Sequence, residues 1–307
     1  MISGLLLATA IAGNGFKLYL PDGYSKRAKY PLLVGLHGCT QTADDFAGLT
    51  RMAKLADAQR VIVLLPNQNP AANPMRCWNW FLPENQKRGG GEPAMIKAMI
   101  DDVESHYSVD RSRVYAFGIS AGGYMTSILL ACYSDVFAAG MIASGGMYEA
   151  ASDVATGLNA ALHGSDADPA AAGRDAYRCS GAVHPRLVPM LVFHGSDDPF
   201  VAARNGHQAV DQFLVTNDLG DDGAENHSIV ELSHHSSAVE GGHAYSWTDY
   251  GIGKKVVIRH YVVDGMGHSW SGGDATFSWA DAKGPDESAL MWQFLRRYTR
   301  LPVHNSR

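Results

Sequence analysis

A mostly parallel α/β sheet, covered by helices on both faces, is the architecture this sequence predicts. Three observations lead there. Short apolar runs alternate with helix-period segments along the whole chain. The runs are continuous rather than alternating with polar residues, as strands buried on both faces require. Glycine-bearing turns follow several of them, where a strand would hand over to a helix. At 307 residues, 46% hydrophobic and 18% charged, the chain has the composition of a globular protein with a sizeable core. No repeat, low-complexity tract or Pro/Ser-rich linker divides it, so residues 1–307 read as a single domain.

Taken in order, residues 4–13 form a short apolar stretch whose Ala10-Ile11-Ala12 mimics a signal-peptide cleavage site. No Lys or Arg precedes it, and an edge strand or hairpin leading into residues 16–21 is the expected reading. No other stretch approaches transmembrane length. Residues 31–37 predict a buried strand, and residues 44–59 a helix with Phe46, Leu49, Met52 and Leu55 on one face. Residues 61–66 read as the next strand. After a long loop a helix opens near Pro93 and runs over 94–107. A strand at 113–117 enters Gly118-Ile-Ser-Ala-Gly122, followed by a helix to about Cys132. Strands follow at 137–143 and 188–193, a helix at 203–215, a strand at 256–263 and a closing helix at 286–298. The net charge of −6 gives no reason to expect nucleic acid or an anionic membrane as partner.

In such a sheet the ligand lies beyond the carboxyl ends of the strands, so the loops there carry the chemistry. Gly118-Ile119-Ser120-Ala121-Gly122 is the G-x-S-x-G pattern between a strand and a helix, the nucleophile turn of α/β-hydrolases. A serine hydroxyl attacks only if it protrudes toward a base, and glycines two residues to either side remove Cβ atoms from the tight turn. The same turn aims the Ala121 amide at a developing oxyanion. The loop after the first core strand should supply the second amide, with Cys39 first and Thr40 next. His37 comes too early for the Ser–acid–His order and reads as a brace of that loop.

The acid and the base must follow Ser120 in that order. Asp197 and Asp198 both leave the strand at 188–193, and the spacing G-x-x-D-x-x-V selects Asp198, with Asp197 as a turn cap. His268 leaves the last clear strand on a glycine-flanked loop, where Asp198 would fix its tautomer. Asp264, on the same loop, is a minor rival to Asp198, and His260 lies within the strand, facing core or solvent. His227, His234, His235 and His243 lack tight ligand spacing and read as a solvated hairpin, so no metal is expected. The chemistry calls for no cofactor. The long loop over 67–92 carries Trp78, Trp80 and Phe81. One of the two tryptophans is expected to pack inward and one toward substrate, and Trp270, two residues past His268, is the preferred substrate contact.

With those residues on the page, the chain resembles the polyhydroxybutyrate-depolymerase family of esterases, relatives of feruloyl and acetylxylan esterases. The resemblance rests on Leu36-His-Gly-Cys-Thr-Gln41, Asn73-Pro-Met-Arg-Cys-Trp-Asn-Trp80, Arg88-Gly-Gly-Gly-Glu-Pro93, Gly118-Ile-Ser-Ala-Gly-Gly123, His194-Gly-Ser-Asp-Asp198 and Gly267-His-Ser-Trp-Ser-Gly-Gly273. It implies an extracellular or periplasmic serine esterase with the α/β-hydrolase fold and Ser120, Asp198 and His268 as its triad. It also implies a Cys39–Cys77 disulfide; no physical argument pairs Cys132 with Cys179. Polymer-degrading members add a linker and an adsorbing domain, whereas only the segment to Arg307 follows His268. The expected substrate is therefore a soluble short-chain or aromatic ester, small or oligomeric, with polyhydroxyalkanoate depolymerase or feruloyl esterase as alternatives. A serine peptidase lacks support here, and a non-catalytic binding protein would usually have lost a triad member.

Overall fold

The computed structural model describes residues 5–11, 14–180 and 186–300. Gly4 and residues 12–13 of the expected N-terminal hairpin lie outside them. One ten-stranded sheet organises the molecule. Six of its strands are mutually parallel and form the centre: β3 (Tyr30–Leu36), β4 (Ile62–Pro66), β5 (Val109–Ile119), β6 (Ala139–Ala143), β7 (Met190–Gly195) and β10 (Lys255–Val263). Antiparallel strands finish each edge. β1 (Leu5–Ile11) and β2 (Asn14–Tyr19) lie beyond β4, and β9 (Ala244–Ile252) and β8 (Val230–Ala238) lie beyond β10. The order is thus β1-β2-β4-β3-β5-β6-β7-β10-β9-β8.

Successive side chains of a strand point to opposite faces, so each central strand feeds two cores. Leu32, Val34, Leu36, Ile62 and Leu64 face one way, where they pack with residues of α3 (Gly91–His106), α4 (Ala121–Cys132) and α7 (Arg204–Asp222). Leu33, Val63, Leu65, Phe117 and Phe193 face the other way, toward α1 (Ala43–Leu49), α2 (Met52–Gln59) and α8 (Glu287–Leu295). This two-sided burial is why the strands read as unbroken apolar runs. Each fully buried Leu or Val contributes about 1.5–3 kcal/mol of transfer free energy.

Three elements differ from the sequence reading. The helix expected over 44–59 is two, broken at Arg51, whose φ of 54° is left-handed. The break turns backbone outward: the Leu49 carbonyl accepts from the Asp274 amide and the Thr50 carbonyl from Ser288 Oγ. Second, α7 runs a further two turns past 215. Thr216, Asn217 and Asp218 there are buried but bonded, Asn217 accepting from the Val188 amide and donating to the Val188 carbonyl. Third, α5 (Val154–His163) and α6 (Pro169–Cys179) were not expected, although Asp153 and Asp168 cap their first turns. α5 buries only small residues, Gly157 and Ala160, and leaves Val154, Leu158 and Leu162 exposed. That pattern hides its amphipathicity.

Candidate active site

Four loops at the carboxyl ends of β3, β5, β7 and β10 converge on a cavity of about 320 Å³. Gly38 to Gln41, Ile119 to Ala121, Phe200, Val201 and His268 are among its lining residues. Among the described residues that line it there is no carboxylate, Lys or Arg, and beyond His268 the wall is largely apolar, with Met75, Trp80, Tyr124, Ala161 and Trp279.

Ser120 stands at the turn between β5 and α4 with φ 59° and ψ −125°. A non-glycine residue held there stores strain. The turn survives because its flanks have no room for side chains. A Cβ on Gly118 would lie 2.4 Å from the Gly122 carbonyl oxygen, and one on Gly122 would lie 2.1 Å from the Leu36 carbonyl oxygen. The Ser120 amide donates to the Ala143 carbonyl, which pins the turn to β6.

The loop after β3 is held from three sides. Gln41 Oε1 accepts from the Gly38 amide at 2.8 Å, and the Thr40 amide donates to the Met75 carbonyl at 2.6 Å. That bond removes Thr40 as an oxyanion donor. The Cys39 and Ala121 amides have no acceptor among the described residues, and both residues line the cavity. Cys39 is joined to Cys77, the bridge the family resemblance implied. Cys132 is joined to Cys179, the pair for which the sequence offered no argument. His37 is fully buried; its Nδ1 donates to the Gly38 carbonyl and its Nε2 accepts from the Gln68 amide. Burial lowers its pKa to about 4, against the raising effect of the Gly38 bond. It braces the loop and stays neutral.

His268 Nδ1 donates to Asp198 Oδ2 at 2.7 Å. Asp198 Oδ1 accepts from the Phe200 and Val201 amides at 2.9 and 2.8 Å. Burial by itself would raise the Asp198 pKa, yet the nearby His194 ring, the bond from His268 and its charge, and the Val201 amide together hold it well below the usual carboxylate range. Asp197 is exposed, accepting from Ser196 Oγ. Asp264 is exposed as well, and the proton on His268 Nδ1 goes to Asp198 instead. His260 faces α7, edge-on to His207, and burial pushes its pKa down to about 3. His234 and His235 sit exposed on β8, and among the described residues no group of three or more His, Cys, Asp or Glu side chains could hold a metal ion.

Two tryptophan expectations need correction. Trp270 is 0% exposed and packs among Phe46 and Phe117, with its indole N–H on Ser288 Oγ. The loop after His268 turns inward and buries it on the face opposite α4, so it is not among the residues that line this cavity. Trp78 is also 0% exposed, its indole N–H donating to the His37 carbonyl at 3.1 Å. Trp80 alone of the three lines the cavity, stacked on Tyr124 with ring centroids 3.8 Å apart. The aromatics at the mouth are ones the sequence reading passed over. Phe200 and Trp279, 53% and 38% exposed, pack edge-on against each other and against His268 at centroid distances of 5.5 to 5.8 Å. Phe200 lay within reach, two residues past Asp198. Nothing in the sequence singled out Trp279, which a left-handed φ of 69° turns toward His268.

Residues 14–231 match the family described as esterase PHB depolymerase. The chain belongs to that family. Among curated relatives of this esterase, Poly(3-hydroxyalkanoate) depolymerase C of Paucimonas lemoignei is 33% identical over 253 residues, which is 81% of this chain and 57% of the relative. The chain thus spans little more than half of that protein. Feruloyl esterase B of Neurospora crassa is 32% identical over 259 residues, 81% of each chain. Among solved structures, an acetyl xylan esterase from Aspergillus awamori superposes with a TM-score of 0.71 at 22% identity, covering 86% of this chain and 94% of that one. The fold is that of the α/β-hydrolases. No helix among the described residues is long and apolar enough to cross a membrane.

Proposed function

We propose that this chain is a carboxylic ester hydrolase that works through an acyl-enzyme on Ser120. The observation that carries the reading is the 2.7 Å bond from His268 Nδ1 to Asp198 beside a strained Ser120, around one apolar cavity. His268 Nε2 takes the Ser120 proton as Oγ attacks the ester carbonyl, and Asp198 holds the imidazole and steadies the imidazolium that forms. The Cys39 and Ala121 amides receive the oxyanion. Collapse of the tetrahedral adduct expels the alcohol, which leaves with the proton from His268. Water, deprotonated by the same imidazole, then releases the acid and restores Ser120. Each step is supplied by a side chain or an amide, and none calls on a cofactor.

A cavity without fixed charge favours a neutral ester, and its size suits a short-chain or aromatic acyl group. Trp80, Phe200 and Trp279 give it aromatic walls, which supports a feruloyl-like substrate as the second reading. The names of the relatives span polyester, feruloyl and acetylxylan esters, so a depolymerase activity is the remaining alternative. We assign the chain to one catalytic domain, on the strength of the ten-stranded sheet that draws on strands from Leu5 to Val263. Two disulfides favour an oxidising location, secreted or periplasmic. Ser120→Ala should abolish hydrolysis of p-nitrophenyl butyrate without lowering the melting temperature; retained turnover overturns the reading. Rates on butyrate esters, methyl ferulate and polyhydroxybutyrate film then choose among the substrates.

A further inference from the structure

Behind Asp198, on the side away from the cavity, lies a second imidazole that the mechanism above does not use. His194 is the penultimate residue of β7 and is completely buried. Its Nε2 lies 2.8 Å from the Val201 carbonyl oxygen and 3.5 Å from Asp198 Oδ2. A carbonyl only accepts, so Nε2 carries the proton and Nδ1 the lone pair. That lone pair faces α7 at Gly206, where a Cβ would come within 2.8 Å of it, and it has no partner among the described residues. The ring therefore has one polar task, at Nε2.

That task closes a circuit. Val201 gives its amide to Asp198 Oδ1 while its carbonyl takes the His194 proton, so the peptide after Phe200 is held at both ends. Asp198 Oδ2 is approached by His268 from the cavity side at 2.7 Å and by His194 from the core side at 3.5 Å. With Oδ1 tied to two amides, the carboxylate cannot turn about its Cβ–Cγ bond without losing one of these partners. Val201 lines the cavity, and Phe200 packs edge-on against His268. One imidazole thus fixes both the acid and the wall beside the base.

We propose that His194 is a positioning residue for the Asp198–His268 pair: its Nε2–H locks the 198–201 turn, and through it the direction in which Asp198 presents Oδ2. The inference rests on the ester-hydrolase reading and deepens it. The loss of such a lock displaces a catalytic group by a fraction of an ångström to an ångström, which costs on the order of 100-fold in turnover.

The test compares His194→Met, which fills the volume without a donor, with His194→Gln, whose amide nitrogen reaches the place of Nε2. The readouts are kcat and KM for p-nitrophenyl butyrate and the low-field proton resonance of the His268 Nδ1–H bond to Asp198. His194→Met should lower kcat on the order of 100-fold, move KM less than about threefold and erase the resonance. His194→Gln should restore both kcat and the resonance. Equal kcat in the two variants with the resonance intact would show that the ring merely fills space, and the proposal falls. Should His194→Met fail to fold, His194→Asn, whose shorter amide reaches only the place of Nδ1, replaces it; activity equal to that of His194→Gln is again the overturning result. Asp198→Asn separates the two readings. If it leaves kcat unchanged, the triad itself is wrong; if it abolishes kcat while His194→Met does not, only this inference is lost.

Discussion

Two loops of this molecule carry tryptophans beside chemistry, and they use them in opposite ways. In the loop before α3, Trp78 points into the core and Trp80, two residues later at a turn, lines the cavity. In the loop after β10, Trp270 is buried two residues beyond His268, and the residue that reaches the mouth is Trp279, nine positions later. Extended backbone would send residues two apart to the same face, so the divergence of Trp78 and Trp80 comes from the turn at Trp80. After His268 the chain folds back at once: Trp270 and Ser271 pair in parallel with Ala280 and Asp281, which swings the intervening segment round and presents Trp279. Proximity in sequence to His268 is therefore a poor guide to which residues line the cavity.

Substitutions can break that contrast. The largest effect is expected at Trp270, where Trp270→Ala opens a cavity against Phe46 and Phe117 and should cost about 3–5 kcal/mol in chemical denaturation. An unchanged midpoint would mean that the packing is not as described. Trp78→Phe keeps most of the bulk but leaves the His37 carbonyl without its indole donor. A loss of about 1–3 kcal/mol is expected, with a drop in kcat because His37 braces the oxyanion loop. At Trp279 the expectation reverses. Trp279→Ala should leave stability within about 0.5 kcal/mol and raise KM for methyl ferulate by about tenfold while sparing acetate esters. Equal effects on both substrates would remove Trp279 from the substrate wall.

The smallest effect is one of pH. His37 has its pKa lowered to about 4 by burial, whereas in the unfolded chain it titrates near the ordinary 6.5. A lowered imidazole contributes stability that is complete above about pH 6.5 and shrinks as pH falls toward 4, because the unfolded chain takes up a proton that the folded one refuses. The destabilisation caused by His37→Gln should accordingly be greatest at pH 7 and decline between 6.5 and 4, as read from melting temperatures of both proteins. A penalty that grows as the pH falls would contradict the buried neutral ring. Asp198, held below the usual range, acts in a separate window, losing its contribution only below the ordinary carboxylate pKa near 3.8.

The central strands and the tight turn at Ser120 were legible in the sequence because both depend on local rules. Double-sided burial demands unbroken apolar runs, and the turn at Ser120 demands glycine at 118 and 122. The elements misread were those whose logic is non-local. The break at Arg51 serves Asp274 and Ser288, more than two hundred residues away, and the extra turns of α7 are secured by Asn217 bonding the strand entry at Val188. α5 turns its large side chains outward, so a rule that seeks a buried apolar stripe passes over it.

By itself, then, the sequence determined the order of the six central strands, the glycine-flanked turn at Ser120 and the chain order of Ser120, Asp198 and His268. Only the tertiary structure decided which amides are left for an oxyanion, since Thr40 loses its candidacy through a bond to Met75. It alone also sent Trp270 inward and Trp279 out, and set His194 behind Asp198. The physical reason is the same in each case. Spacing and residue type govern what a segment can form with its neighbours in the chain, whereas the direction of a side chain in a loop and the vacancy of an amide depend on partners that only folding brings within reach.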